Sequence, residues 1–146
     1  MLLTAIYVRV SSTLDKSTPR KSLVDRDSGT CWTSTQGLPQ WVQLGFAAET
    51  PVQPKQLVLT FQGGFAATRV AVYTARDLSR DPEWTLRKYV YPEDVNRKQQ
   101  FDLAQGEAET DQAIAQIKLV FEQSSDFFGR ITIYDLDIHG VPTPSG

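Results

Sequence analysis

Residues 22–44 read S-L-V-D-R-D-S-G-T-C-W-T-S-T-Q-G-L-P-Q-W-V-Q-L, and the punctuation of this stretch decides the fold class. Asp25, Asp27, Ser28, Gly29 and Thr30 crowd short side chains into one turn; Asx and Ser/Thr residues there bond their own backbone, and Gly supplies unusual dihedrals. Trp32 follows closely, Gly37-Leu38-Pro39 makes a second turn, and residues 40–46 then alternate. Trp41, Gln43 and Gly45 fall on one side and Val42, Leu44 and Phe46 on the other, the period of two that marks a half-buried strand.

The same rhythm extends in both directions. The opening M-L-L-T-A-I-Y-V-R has no basic leading segment and its apolar run is cut at Arg9, so it reads as a first strand rather than a signal peptide. Residues 16–21 (K-S-T-P-R-K) form a polar loop. Residues 56–61 alternate about Leu57, Leu59 and Phe61 and end at Gly63-Gly64, where glycines permit a positive φ. Strand patterns follow at 69–74, 84–91, 99–103 and 116–121, with turns between them. The closing segment 130–140 (R-I-T-I-Y-D-L-D-I-H-G) shifts its apolar phase from Ile131 and Ile133 to Leu136 and Ile138, which predicts a bulge near Tyr134. Only 106–115 has a helix-forming composition, enough for a helical turn. About eight short strands and scarcely any helix define an all-β sandwich of the jelly-roll type. One domain is expected over 1–141, with a loose tail at 142–146.

Composition narrows the function. The chain has 146 residues, 40% hydrophobic and 22% charged, as an ordinary folded domain has. No window approaches the ~18 apolar residues of a membrane-spanning helix. Fifteen basic against seventeen acidic residues give a net charge of −2 with no basic run longer than a pair, which argues against nonspecific nucleic-acid binding and against anionic membranes. Cys31 is the only cysteine, so no intrachain disulfide forms and a reducing compartment, nucleus or cytoplasm, is expected. With one His, one Cys and no G-x-S-x-G, H-E-x-x-H or phosphate-cradling glycine motif, no catalytic set assembles, and Cys31 reads as a small buried residue.

Several motifs then carry a resemblance. R-V-S-S-T-L (9–14), D-R-D-S-G-T-C-W (25–32), Q-W-V-Q-L (40–44), F-Q-G-G-F (61–65), Y-P-E-D (91–94) and D-F-F-G-R-I-T-I-Y-D-L (126–136) run in the order found in small nuclear receptor-associated proteins of the discoidin, galactose-binding-like type. Nearly the whole chain resembles that family. The resemblance implies an eight-stranded jelly roll, a non-enzymatic role exerted by binding other proteins, and burial of Trp32 and Trp41.

It also implies where to look for sites. In lectin-like relatives the Asp-rich turn holds calcium with a carboxylate five residues before the closing glycine of the last strand, so the candidate ligands are Asp25, Asp27, Thr30 and Asp135, the last one methylene shorter than the usual Glu. Ca²⁺ takes six to eight hard oxygens from a tight loop; the competing reading is a turn capped by its own side chains. No cofactor is required, and structural calcium stays open. A calcium-assisted carbohydrate-binding module is the alternative function, which needs an aromatic plate beside Arg, His or Asn; His139 is the only imidazole. The leading reading is a protein-interaction adaptor. The loops after 56–61 and 116–121 are expected to meet at one end of the sandwich, placing Gln62, Phe65, Arg69, Asp126, Phe127, Phe128 and Arg130 around one aromatic, arginine-rich surface of the kind that concentrates binding energy. One of Phe127 and Phe128 is expected to plug the core and the other to stand partly exposed.

Overall fold

A computed structural model of the chain describes residues 2–27, 29–47, 52–103 and 113–142. Among these, nine strands follow in order: β1 (Tyr7–Val10), β2 (Trp32–Thr33), β3 (Gln40–Gly45), β4 (Val52–Phe61), β5 (Ala67–Ala75), β6 (Thr85–Val90), β7 (Lys98–Asp102), β8 (Gln116–Ser124) and β9 (Thr132–Pro142), with one 3-10 turn at Arg20–Leu23. The two-residue β2, too short to show a period, is the strand beyond the expected eight. Most of 106–115, where a helical turn is expected, and residues 143–146 of the expected 142–146 tail lie outside the described residues, while Pro142 ends β9.

The strands form two antiparallel sheets, β1-β3-β8-β5-β6 and β2-β9-β4-β7. Alternation sends Val42 and Leu44, Leu57, Leu59 and Phe61, Val70 and Val72, and Ile117, Leu119 and Phe121 into the space between them. Phe121 is the aromatic centre of this core, its ring 6.5 Å from both Trp32 and Phe61 and edge-on to Phe61. Trp32 is fully buried and its indole N–H donates to the Ser12 carbonyl (3.1 Å), which satisfies the one polar atom of an otherwise apolar ring.

The bulge sits where the sequence places it. Thr60 pairs with Asp135 but Phe61 pairs with Ile133, so Tyr134 is the extra residue. This slip lets Ile133, Leu136 and Ile138 all point inward although they occupy opposite phases of the alternation. Trp41 departs from expectation. It is half-buried on the outer face of the five-stranded sheet, because Val42 and Leu44 already hold the inward phase of β3. Its ring and that of Trp84 flank the Lys118 ammonium at 5.1 and 5.7 Å.

Candidate functional site: the loop end of the sandwich

Connections 34–39, 62–66, 91–97 and 125–131 meet at one end of the sandwich and are tied by hydrogen bonds from backbone N–H groups. Gly37 N donates to the Phe128 carbonyl (2.8 Å), Ser125 N to that of Ala66 (2.9 Å), and Gly64 N to the Asp94 carboxylate (2.8 Å). Residues 11–14 join them through Gln40, whose Oε1 accepts from the Ser12 hydroxyl (2.7 Å) while its amide donates to the Gly37 carbonyl (2.8 Å).

The 125–131 connection is organised by Asp126. One carboxylate oxygen accepts from both the backbone N–H (3.0 Å) and the Nε (2.9 Å) of Arg130, and Gly129 N closes the turn on the Asp126 carbonyl (3.0 Å). Gly129 has φ +80° and packs against the Gly37 backbone, a conformation and approach suited to a residue without Cβ. The hydrogen bonds from Arg130 hold the Asp126 carboxyl below the usual carboxylate range, against the opposing effect of burial.

This tight turn fixes the aromatic surface. The Arg130 guanidinium lies 5.1 Å from the Phe65 ring and 5.7 Å from that of Phe128, and the Phe127 and Phe128 rings meet edge to face at 5.2 Å. Neither phenylalanine plugs the core: Phe127 is 94% exposed and Phe128 52%. The fully buried Ile131, Phe61 and Trp32 already close that end, and the Asp126–Arg130 turn lifts the intervening residues outward. Leu38 adds an exposed apolar side chain beside Gly129.

Of the other residues expected on this surface, Gln62 forms the corner of the β4–β5 turn, its N–H donating to the Thr132 carbonyl and its carbonyl accepting from Phe65 N, each at 3.0 Å. Arg69 leaves the cluster. It stacks on Tyr89 at 4.7 Å and stands 3.0 Å from the Glu122 carboxylate as an ion pair not aligned as a hydrogen bond, on the outer face of the five-stranded sheet. The register of β5 slips on both sides of Arg69, a local irregularity that no composition rule could supply.

The candidate calcium ligands divide into two groups. The Asp25 carboxylate receives the Thr30 hydroxyl (2.8 Å) and Asp27 N (3.0 Å), and Asp27 receives Gly29 N (2.8 Å), so the turn caps itself. Arg26, with φ 61°, reaches from the same turn to β9 and bonds Asp137 at 3.2 Å. Asp135 opens into a hollow of about 430 Å³ whose lining includes Arg26, Arg97 and Lys98. Burial, then the neighbouring Asp137 carboxylate, push Asp135 upward, and Arg26 and Lys98 pull the other way. No three carboxylate, His or Cys side chains converge among the described residues. Arg26 pairs with Asp137 and lines the Asp135 hollow with Lys98, while Asp25 and Thr30 bond each other within the turn.

A two-sheet antiparallel jelly roll of this kind is a galactose-binding-like, discoidin-type fold. Solved structures agree at the level of fold: a chitosan-binding module of a chitosanase/glucanase from Paenibacillus sp. IK-5 (TM-score 0.76, 14% identity, 94% of this chain and 96% of that one) and the family 32 CBM of C. perfringens NanJ in complex with galactose (0.71, 15%, 90% and 91%). The chain belongs to the nuclear receptor 2C2-associated protein family: it is 41% identical over 137 residues to the mouse protein of that name and 38% identical to the human one, covering 90% of this chain and 89% of each relative. The Xenopus laevis protein is 37% identical over 135 residues, with 90% and 91% covered. No family model matches the chain.

Sequence reasoning missed Leu38, hidden by its place before Pro39, and the Trp41–Lys118–Trp84 stack, for which the outward phase of Lys118 in β8 was the available signal. Among the described residues no helix is long and apolar enough to cross a membrane.

Proposed function

We propose that this chain is a non-enzymatic protein-interaction adaptor of the nucleus or cytoplasm whose docking surface is the Phe127–Phe128–Arg130 end of the sandwich. The observation that carries the reading is the 94% exposure of Phe127 on a turn held by the Asp126–Arg130 pair: a large apolar group kept in water by a rigid support is the arrangement of a binding hot spot, since little ordering is left to be done on association. The relatives' name associates them with a nuclear receptor, and a receptor of that class is the first partner to try here. Carbohydrate binding, the role printed for the structural neighbours, finds weaker support. The Phe127–Phe128 surface offers phenyl rings and one arginine, whereas Trp41 and Trp84 lie on a sheet face and His139 sits in β9 opposite Gln56.

The test is recovery of partners by the tagged protein from its own cells, with Phe127→Ala/Phe128→Ala and, separately, Phe65→Ala/Arg130→Ala. Removing two hot-spot aromatics costs about 2 kcal/mol or more each, enough to abolish recovery at micromolar affinity. Unchanged recovery with an intact melting curve would sink this surface as the docking site.

A further inference from the structure

The polar loop before the 3-10 turn holds a feature that the adaptor reading does not use. Residues 13–21 (T-L-D-K-S-T-P-R-K) carry Lys16, Arg20 and Lys21 against a single carboxylate, in a chain whose net charge is −2. All three cations line one groove of about 560 Å³, together with Thr13, Asp15 and Pro19. Each cation is exposed and has no side-chain partner among the described residues. The one carboxylate is engaged locally: Asp15 accepts from Ser17 N at 2.8 Å and also from the Ser17 hydroxyl. Those bonds hold it below the usual carboxylate range, so it stays ionised yet turned to its own loop.

The segment that lines the groove is bonded to the aromatic end. Thr13 Oγ1 lies 3.3 Å from the Trp32 indole nitrogen, Leu14 N donates to the Thr33 carbonyl (2.8 Å), and Thr35 N donates to the Ser12 hydroxyl (3.0 Å). From there the chain leads through Gly37 to the Phe128 carbonyl, so one continuous bonded rim joins the groove to the exposed phenyl rings. Leu14, whose backbone forms part of that rim, is 47% exposed. A three-cation groove without an aromatic lining is therefore joined through bonded backbone to an apolar knob.

We propose that the partner's docking element is an acidic peptide segment with an apolar anchor: its Asp and Glu side chains lie along the groove of Lys16, Arg20 and Lys21, and its aromatic or leucine anchor packs on Phe127, Phe128 and Leu38. Charge complementarity selects this occupant, because three unpaired cations beside an apolar patch repel a basic segment and attract an acidic one over a neutral one. Arg20 can bind a carboxylate through both arms of its guanidinium, and the two lysines act as point charges. The inference rests on the docking surface proposed above.

The test uses a phage-displayed library of random peptides of about twelve residues, ~40 Å when extended and long enough to cross the loop end, panned on the full chain and followed by fluorescence anisotropy with the selected peptides. Selection of peptides combining Asp/Glu with an aromatic or leucine, weakened about tenfold or more by Lys16→Glu/Arg20→Glu/Lys21→Glu and by added salt, supports the proposal. Peptides that depend on Phe127 and Phe128 but are indifferent to the charge reversal overturn it and leave the docking surface standing. Peptides indifferent to both sets of variants, or no selected peptide at all, overturn both. Binding only to vesicles containing phosphatidylserine overturns it in favour of a membrane. All five altered side chains are exposed, so an unchanged melting temperature checks that the variants fold.

Discussion

Two aspartates near the ends of one strand connection titrate in opposite senses, and the difference follows from what faces each. Asp126 is lowered because Arg130 donates to its ionised form, so it contributes stability that is present above the ordinary carboxylate value of ~3.9 and is lost as pH falls through its depressed folded value. Asp126→Asn should therefore lower the melting temperature at neutral pH and converge with the parent as the pH approaches 2. Asp135 behaves in the reverse way: burial and Asp137 raise it, so folding favours its protonated form and that contribution is lost as pH rises through the raised folded value. Asp135→Asn should raise the melting temperature at neutral pH, with the gain vanishing below pH ~3.9. Thermal melts of both variants across pH 2 to 7 decide each, and parallel curves would refute the assignment. At this scale the sequence was legible in residue type and position. Asp126, Phe65, Phe128 and Arg130 do assemble, whereas Arg69 does not, because a slip in pairing register leaves no trace in composition. The exposure of both phenylalanines was hidden for a related reason: adjacent residues in a turn follow no period, and only the Asp126–Arg130 bridge decides which way they point.

Elements carry the next level of constraint. Two glycines in the last third of the chain set the geometry of β9 and of the turn before it. A Cβ on Gly140 would collide with the Gln53 carbonyl across the β4–β9 pair, beside the register shift between Pro54 and Gln56. Gly129 has φ +80°, and a Cβ added there would come within 3.1 Å of the Gly37 backbone. Gly129→Ala should cost roughly 1–2 kcal/mol from the left-handed conformation alone and misplace Phe127 and Phe128. It is expected to weaken partner binding more than its stability loss would suggest, and urea unfolding alongside a binding titration separates the two. Gly140→Ala should destabilise without a selective effect on binding, since it lies in β9 beyond His139 and away from the loop end. Strands were readable because the period of two survives in a single sequence, and the phase shift about Tyr134 announced the bulge. The two-residue β2 and the 3-10 turn carry no period, so neither was legible; packing of Trp32 and Leu23 against the core places them.

The whole molecule separates support from recognition. Phe121 lies between the two sheets in contact with Trp32 and Phe61, so Phe121→Ala should cost ~3–5 kcal/mol and lower the melting temperature on the order of 10 °C. Phe127→Ala/Phe128→Ala should barely move it. The Asp-rich turn belongs to the supporting part as well, because Arg26 joins it to β9 at Asp137 and its own side chains cap it. These bonds hold the first long connection through the chain's own side chains. Chelation with EDTA, or addition of calcium, should therefore leave the melting temperature unchanged. Arg26→Ala should cost about 1 kcal/mol or less of stability, since Arg26 is 58% exposed and solvent screens the pair, although nearly buried Asp137 then loses its counter-charge. A calcium-dependent rise in the melting temperature of the unaltered chain would refute this account of the turn. If such a rise appeared only in Arg26→Ala, the guanidinium would be occupying the cation's place, as the approach of Arg26 and Lys98 to Asp135 suggests.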